Sequence, residues 1–446
     1  MIHTLRQRTL VAGVSLGMRA TNRLLRTVEQ ANAFIEGAGL AGLDPESQAE
    51  LSGQMFSGDK RSYDTGLFEW ERQWYEQDLP PPPAKLLVGG AAIEVLGADF
   101  RFTTSAAAPA PVDGVVEGNL YLVGGGDPLL VASGASLGDD GPAASTALDA
   151  LADAVVGAGI TSVRGAVVGD ASRYDDEYVN PTWEDGVAYV DAGPIGGLVV
   201  NDGIVVGRSA RQRDPGEAAA REFTRLLRDR GVSVSGGWQA GLLDPAVPVV
   251  ASIESPRLSA IVSDMLTRSD NDTAEMLVKE LGFSLAQPGT TESGLAVLEQ
   301  TVTSWGVPMD NVVFADGSGL SAENRLTCDT LVAVLDHLET SPAVDGLPVA
   351  GRSGTLIDDF LGSPVEGSLV AKTGTLSNPP SDADPPEVKA LAGYFDAPNG
   401  ETLQFALVLN GPGYVTADGY VPFWSALADR LAVHPTAPDP ALLGPR

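Results

Sequence analysis

Four consecutive prolines, Pro80–Pro83, constrain the fold more than any other feature of this sequence. Proline fixes its own φ angle and has no backbone N–H, so a helix or a central strand cannot continue through such a run. The run therefore predicts an extended polyproline segment, and we place a boundary there. Residues 1–80 are expected to form an atypical helical N-terminal segment, with amphipathic helices over 16–40 and 66–78.

After this boundary the sequence alternates between helix and strand patterns. Strands are predicted over 113–124, 163–170, 198–206, 367–373, 388–396 and 402–410. Helices are predicted over 86–96, 146–158, 216–231, 257–285, 292–305, 327–339 and 414–432. Helices on both sides of late antiparallel strands indicate an α/β (α+β) protein with an inserted middle portion, and residues 433–446 form a Pro-rich tail.

Acidic residues outnumber basic ones by 59 to 28, which gives the chain a formal net charge of -31. Such a field repels phosphate backbones, so nucleic acid is not an expected partner. One cysteine and three histidines leave no internal disulfide and no Cys-cluster or multi-His metal site, and no cofactor is predicted. Lysine is then the available type of catalytic base, and the chain has five: Lys60, Lys85, Lys279, Lys372 and Lys389.

The N-terminal residues do not resemble a clear signal peptide. Residues 1–28 contain five arginines and no acid, and their most apolar part, Leu10 to Met18, is short and lacks a small-residue cleavage site. No stretch approaches the roughly 18 apolar residues of a membrane-spanning helix. We therefore expect neither a signal peptide nor a transmembrane segment in this chain.

A serine and an asparagine lie two residues apart in the segment RSDNDTAEMLVKELG, residues 268–282. Asp272 followed by Glu275 fits a capping box at the start of an amphipathic helix. That interpretation gives no role to Ser269 and Asn271, whereas a functional Ser-x-Asn turn would use both. The segment alone leaves both interpretations open.

A second cluster of functional residue types occurs in VAKTGTL, residues 370–376. The predicted strand ends in Lys372, Thr373, Gly374 and Thr375, where a lysine can hold a carboxylate and a glycine lets another backbone approach closely. A surface lysine that protects an edge strand against aggregation explains the same pattern. This segment alone also fits either interpretation.

Together the two clusters, about 100 residues apart, resemble the second and third signatures of penicillin-binding proteins and serine β-lactamases. Further segments resemble the D-alanyl-D-alanine carboxypeptidase and endopeptidase family, which consists of serine peptidases: GNLYLVGGGDPLL (118–130), GDASRYDDEY (169–178), AGPIGGLVVNDG (192–203), ADGSGLSAENRLT (315–327) and AGRSGTL (350–356). The resemblance extends from about residue 85 to about residue 430. The chain is therefore identified as a member of this family of low-molecular-mass penicillin-binding proteins.

The resemblance implies a penicillin-binding-protein/β-lactamase-like transpeptidase fold. Residues 85–103 and 250–432 would form a split transpeptidase-like domain, and residues 104–249 would hold inserted β-rich domains. The implied partner is a peptidoglycan peptide with a D-Ala-D-Ala terminus, and the implied location is the cell envelope or the extracellular space. β-Lactams are expected as non-covalent ligands.

The resemblance also implies a role for each candidate site residue. In an intact relative a serine attacks the penultimate D-alanine carbonyl, and water resolves the acyl-enzyme. Lys85 would accept the proton of that serine, and Ser269 and Asn271 would relay protons and position the peptide. Lys372, Thr373 and Thr375 would bind the terminal carboxylate, and Gly374 would be a further substrate-binding residue. Backbone N–H groups of the nucleophile and of the strand near Thr375 would form the oxyanion hole.

This sequence departs from the family pattern at the nucleophile. The family's first signature is Ser-x-x-Lys, and the residue three positions before Lys85 is Pro82. Proline has no hydroxyl to acylate and no N–H for the oxyanion hole. Impaired activity is therefore expected, and the alternative is a non-catalytic peptidoglycan-binding or scaffold protein.

Three further interpretations of the N-terminal region remain open. The only other Ser-x-x-Lys, Ser57 to Lys60, has a Gly-Asp interior that does not favour a buried helix. The segment 63–91 vaguely resembles the approach to the first motif of an S-adenosylmethionine methyltransferase, although no complete Gly-x-Gly loop follows. A gene fusion or a wrongly assigned start would also produce the junction before Lys85.

Overall fold

The computed structural model describes the backbone of residues 11–17 and the residues 84–135, 142, 144–184, 186–377, 387–410 and 413–434. Several predictions fall outside the described residues: the helix over 66–78, the segment Pro80–Pro83, the Ser57 to Lys60 motif and nearly all of the tail. They stay predictions.

The N-terminal segment contributes a strand, so the prediction that residues 1–80 are helical is wrong in part. Strand β1 (Val11–Gly17) pairs antiparallel with β14 (Thr402–Asn410), and Val11 lies opposite Asn410. The helix predicted over 16–40 overlaps the end of this strand, and residues 18–40 lie outside the described residues. The edge of a sheet presents unpaired N–H and C=O groups, and pairing with a second segment satisfies them.

The sheet to which β1 belongs has the strand order β1-β14-β13-β12 and is antiparallel throughout. β12 spans Leu369–Leu376, and β13 (Val388–Asp396) and β14 have the bounds that the sequence predicts. Alternate residues along these strands enter two separate hydrophobic cores, because successive side chains point to opposite faces. Helix α8 (Ala417–Ala432) packs in one core, and most of the other helices pack in the second.

The larger core contains the helices α1 (Ala84–Leu96), α4 (Leu258–Arg268), α5 (Asn271–Leu285), α6 (Thr291–Ser304) and α7 (Cys328–Leu338). Residues 84–92 of α1 are all buried, so this helix lies inside the protein and not on its surface. Its Gly90 allows close packing, since a Cβ there would lie only 2.8 Å from the Leu338 Cδ1 atom. The close packing of α1 against its neighbours therefore keeps the Lys85 side chain buried inside the protein.

The middle of the chain forms its own core around a five-stranded sheet of order β10-β8-β4-β2-β11. Its elements are β2 (Thr103–Ala107), β4 (Leu120–Val123), α2 (Leu148–Gly157), β8 (Val167–Asp170), α3 (Pro215–Asp229), β10 (Trp238–Ala240) and β11 (Val249–Glu254). The short strands β3 (Val115–Val116), β5 (Leu130–Val131), β6 (Thr146–Ala147), β7 (Ser162–Val163) and β9 (Ser233–Val234) form two small parallel sheets. The chain enters this part through β2 and leaves through β11, and the two strands pair. The domain division at 104–249 stays a prediction.

Two element predictions are wrong for the same reason, a backbone in the left-handed region. The strand predicted over 198–206 is a turn with a 3-10 helix at Asn201–Gly203, where Asn201 and Asp202 have φ values of 53° and 52°. The single helix predicted over 257–285 breaks at Ser269, whose φ is 61°. A residue in this conformation can continue neither a strand nor a right-handed helix. Within the described residues, no helix is long and apolar enough to span a membrane.

Candidate active site

A cavity of about 600 Å³ opens between α1, the start of α5 and the end of β12. All of the seven residues that the sequence predicts for the site line it: Lys85, Ser269, Asn271, Lys372, Thr373, Gly374 and Thr375. Ser269 and Lys372 are 103 residues apart in the sequence, and their side chains are hydrogen bonded at 2.8 Å. The prediction that the Ser-Asp-Asn turn and the Lys-Thr-Gly strand face one cleft is thus confirmed, while the roles of these residues stay predictions.

Ser269 lies in the turn between α4, which ends at Arg268, and α5, which begins at Asn271. The Arg268 guanidinium pairs with the carboxylates of Asp264 and Asp270 at 2.8 Å and 3.2 Å. Asp270 also caps α5 by accepting a hydrogen bond from the Thr273 N–H at 2.7 Å. The predicted capping box at Asp272 is therefore wrong, and the cap lies two residues earlier.

Asp272 instead links the turn to the middle part of the chain. Its carboxylate accepts hydrogen bonds from the Gly193 N–H at 2.6 Å and from the Arg211 guanidinium at 2.5 Å. The neighbouring Asn271 donates to the Asp191 carbonyl at 2.9 Å. Burial raises the pKa of Asp272 to about 7, and the Arg211 charge opposes that rise. The middle part of the chain thus braces the Ser-Asp-Asn turn from outside the cavity.

Lys372 lies on the inner side of the cavity. It is 1% exposed, and its ammonium donates to the Ser269 hydroxyl and to the Thr373 carbonyl, each at 2.8 Å. Burial lowers its pKa well below the ordinary value, and the positive charge of Lys85 acts in the same direction. Thr373 donates its hydroxyl proton to Thr355 at 2.8 Å, which fixes the side chain beside the lysine.

Lys85 is a second buried amine in the same cavity. Its Nζ atom donates to the Ser318 carbonyl at 2.5 Å, and burial lowers its pKa to about 8. Glu275 lies nearby and accepts hydrogen bonds from the Gly317 and Ser318 N–H groups at 3.0 Å and 2.7 Å. Burial raises the pKa of Glu275 to about 8. An amine with such a pKa is partly neutral near pH 8, so it can accept a proton there.

The carbonyl that accepts the hydrogen bond from Lys85 belongs to Ser318, in the loop of residues 315–327. Reasoning from the sequence predicted no role in the site for this loop. The buried Asp316 organises this loop by accepting hydrogen bonds from the Gly319 N–H at 2.8 Å, the Asn324 amide at 2.7 Å and the Trp183 indole at 2.9 Å. The same reasoning overlooked Lys389 and Thr355 as cavity residues. The rarity of lysine was the available signal for Lys389. Among the described residues, no group of three or more His, Cys, Asp or Glu is placed to hold a metal ion.

The chain matches the model of the D-Ala-D-Ala carboxypeptidase 3 (S13) family over residues 46–219 and 205–420. The match begins at residue 46, earlier than the start near residue 85 that the motifs indicate. It includes the segment 63–91 that vaguely resembles a methyltransferase. The junction before Lys85 therefore lies inside the family match.

Individual relatives are similar over most of their lengths. A D-alanyl-D-alanine carboxypeptidase of an Actinomadura strain is 30% identical, over 90% of this chain and 84% of the relative. Carboxypeptidase DacB of Mycolicibacterium smegmatis is 31% identical, over 80% of this chain and 77% of the relative. The structure resembles penicillin-binding protein 4 of Haemophilus influenzae, with a TM-score of 0.65, 20% identity and coverage of 79% of this chain and 91% of that one. The fold is therefore the mixed α+β fold of penicillin-binding proteins, and the chain belongs to the D-Ala-D-Ala carboxypeptidase family of serine peptidases.

Proposed function

We propose that this protein is a D-alanyl-D-alanine carboxypeptidase/endopeptidase-like hydrolase whose acyl transfer is impaired because Pro82 replaces the nucleophile. Its ligand is a peptidoglycan stem peptide with a D-Ala-D-Ala terminus, and its place of action is the cell envelope. The observation that carries the proposal is the cavity in which Lys85, Ser269 and Lys372 converge. A similar structure of the Haemophilus protein is complexed with a β-lactam (TM-score 0.58), so we include β-lactams among the ligands.

The buried amines support acyl-transfer chemistry. With a pKa lowered to about 8, Lys85 has a neutral fraction near neutral pH that can take a proton from a hydroxyl. Lys372 and Ser269, which are hydrogen bonded at 2.8 Å, form a short path for a proton in the same cavity. In this proposal the Thr375 end of β12 provides an N–H group to a developing oxyanion, while the Asn271 side chain orients the peptide.

Pro82 limits this chemistry in two ways. No covalent ester forms without a hydroxyl, and the family's oxyanion donor at this position is absent because proline has no N–H. Ground-state binding of the peptide is a separate interaction and does not need the acylating hydroxyl. A non-catalytic peptidoglycan-binding protein is therefore the second candidate function, and Pro82 is the observation that favours it.

Labelling with a fluorescent penicillin distinguishes the two functions. We expect no covalent label on the wild type, whereas Pro82→Ser restores the family's Ser-x-x-Lys spacing and should be labelled. Pro81→Ser is the matched control, because it introduces a hydroxyl next to the correct position and breaks the same proline run. Intact-protein mass spectrometry gives the stoichiometry, and peptide mapping gives the labelled residue.

The outcomes have distinct meanings. Stoichiometric labelling of the wild type would contradict impairment, and a label that maps to Ser57 would show that Ser57 to Lys60 is the working motif. Failure to label any variant, together with retained affinity for a D-Ala-D-Ala peptide, would favour the non-catalytic function. Failure of all variants to label and to bind would contradict both candidate functions.

A further inference from the structure

A third lysine of the cavity, Lys389, lies on β13 directly opposite Thr375 of β12. Its Nζ atom donates a hydrogen bond to the Thr375 hydroxyl at 2.9 Å. Thr375 is exposed, so this pair faces the open side of the cavity. A ligand that reaches the end of β12 therefore meets a hydroxyl with an ammonium group behind it.

Lys372 is less suited to meet an incoming anion. Its side chain is 1% exposed, and its ammonium already donates to Ser269 and to the Thr373 carbonyl. A charge that is buried and engaged in this way acts within the protein network and is shielded from a carboxylate at the cavity mouth. Lys389 is half-buried, so it retains the access that Lys372 lacks.

The position of the Lys389 ammonium is fixed by aromatic rings of α8. Its Nζ atom lies 4.4 Å from the centroid of the Tyr420 ring and 5.3 Å from that of the Trp424 ring. Cation–π attraction to such rings holds an ammonium without neutralising it. Tyr420 in turn donates its hydroxyl proton to Asp359 at 3.2 Å. Burial lowers the pKa of Lys389, while the Asp359 carboxylate attracts its ammonium through space and so raises that pKa. Among the described residues no carboxylate is hydrogen bonded to the ammonium, which leaves it able to bind a ligand.

The distribution of lysine over the molecule points the same way. Three of the five lysines line this one cavity, although the chain carries a formal net charge of -31. Lys85 and Lys372 are buried with lowered pKa values that suit proton transfer. Burial lowers the pKa of Lys389 as well, but of these three lysines only Lys389 is partly exposed, and electrostatic attraction of an anion requires a charge that the anion can reach.

We propose that Lys389, acting with Thr375, is the anion-recognition point of the site and binds the C-terminal carboxylate of the peptide. Lys389 thereby determines specificity for peptides with a free carboxyl terminus over peptides with a blocked one. Lys372 then serves the proton network with Ser269 and contributes less to anion binding. This inference rests on the proposed function, because it assumes that the cavity binds a peptide terminus.

Calorimetric titration of the wild type and of two Lys389 variants tests the inference. The ligands are a diacetylated lysyl-D-Ala-D-Ala peptide with a free carboxyl terminus and the same peptide as its C-terminal amide. A charge-assisted hydrogen bond predicts that the wild type prefers the acid by about tenfold or more. Lys389→Met should remove most of this preference without weakening the amide complex, and Lys389→Arg should retain it. Lys372→Met is the comparison. The ratio of the affinity for the acid to the affinity for the amide should be higher in this variant than in Lys389→Met.

Each outcome decides the inference. An unchanged acid-over-amide ratio in Lys389→Met would overturn it and leave the proposed function intact, because the peptide would still bind. Binding of neither peptide to the wild type would overturn the inference and the proposed function together. If circular dichroism shows that Lys389→Met is unfolded, Thr375→Val provides the second test. It removes the hydroxyl between ammonium and ligand and should also lower the ratio, whereas an unchanged ratio would overturn the inference.

Discussion

At the scale of single residues, the choice of lysine at the cavity has a physical basis. Burial disfavours a charged amine, and the pKa values of Lys85 and Lys372 are lowered for this reason. Arginine stays protonated under all physiological conditions, so it cannot accept a proton in the same place. The chain has 28 basic residues of which only five are lysines, so arginine supplies most of the other positive charge.

The buried side chain of Glu275 should make the stability of the folded protein depend on pH. Its pKa in the folded protein is about 8, above the ordinary value of 4.5, so ionisation costs more in the folded state. The protonated Glu275 side chain therefore makes its full contribution to the stability of the fold below pH 4.5, and this contribution is lost as the pH rises through about 8. Glu275→Gln keeps an acceptor for the Gly317 and Ser318 N–H groups and removes the ionisation. We expect the melting temperature of this variant to fall less than that of the wild type between pH 5 and pH 8.

Thermal unfolding at several pH values measures this effect. The contribution of one such group is at most about 1.4 kcal/mol per pH unit. Glu299→Gln is the matched control, because it makes the same change of side chain at an exposed position on α6. Parallel profiles of the wild type and Glu275→Gln would show that Glu275 does not retain a proton in the fold.

At the scale of elements, the break between α4 and α5 positions the site. Ser269 adopts a left-handed conformation that a non-glycine residue rarely holds without support from its surroundings. Support comes from the Arg268 pairs on one side and from Asp272 with Arg211 on the other. The middle part of the chain therefore contributes to the geometry of a cavity that, among its described residues, it lines through Val187 and Asp191 alone.

Arg211→Met tests this contact between elements. Removal of one partner of a buried ion pair leaves an uncompensated charge, with a typical cost of about 3–5 kcal/mol. Because the pKa of Asp272 is about 7, the carboxyl is protonated at pH 5, and the loss of stability should be smaller there than at pH 8. Denaturant unfolding at both pH values measures the difference. Arg208→Met is the control on the exposed surface, and equal losses in the two variants would exclude a bracing role for Arg211.

At the scale of the whole molecule, the net charge of -31 opposes the approach of an anionic peptide. Salt screens this repulsion over a Debye length of about 10 Å at 0.1 M. The association rate of the peptide acid should therefore rise with salt, while that of the uncharged amide should change little. Stopped-flow fluorescence between roughly 0.02 and 0.3 M salt measures both rates. A rate for the acid that falls with salt would show that the local lysines dominate even at long range.

The sequence by itself determined the residue types of the site and the strands with the strongest alternation. Ser269, Lys372 and their neighbours were recognisable because each motif is a local pattern, and β13 and β14 were predicted with their observed bounds for the same reason. The chemical consequence of Pro82 is also local, since a missing hydroxyl does not depend on packing.

Only the tertiary structure decided which of these residues meet. The 2.8 Å contact between Ser269 and Lys372 joins positions 103 residues apart, and no local pattern encodes such a distance. The pairing of residues 11–17 with β14 likewise depends on an available sheet edge and not on the propensity of that segment. Lys389 lies at the cavity because the pairing of β13 with β12 places it opposite Thr375, and because α8 packs against the adjoining core. Local energies select helix, strand and turn, whereas long-range packing sets distances, burial and therefore pKa values.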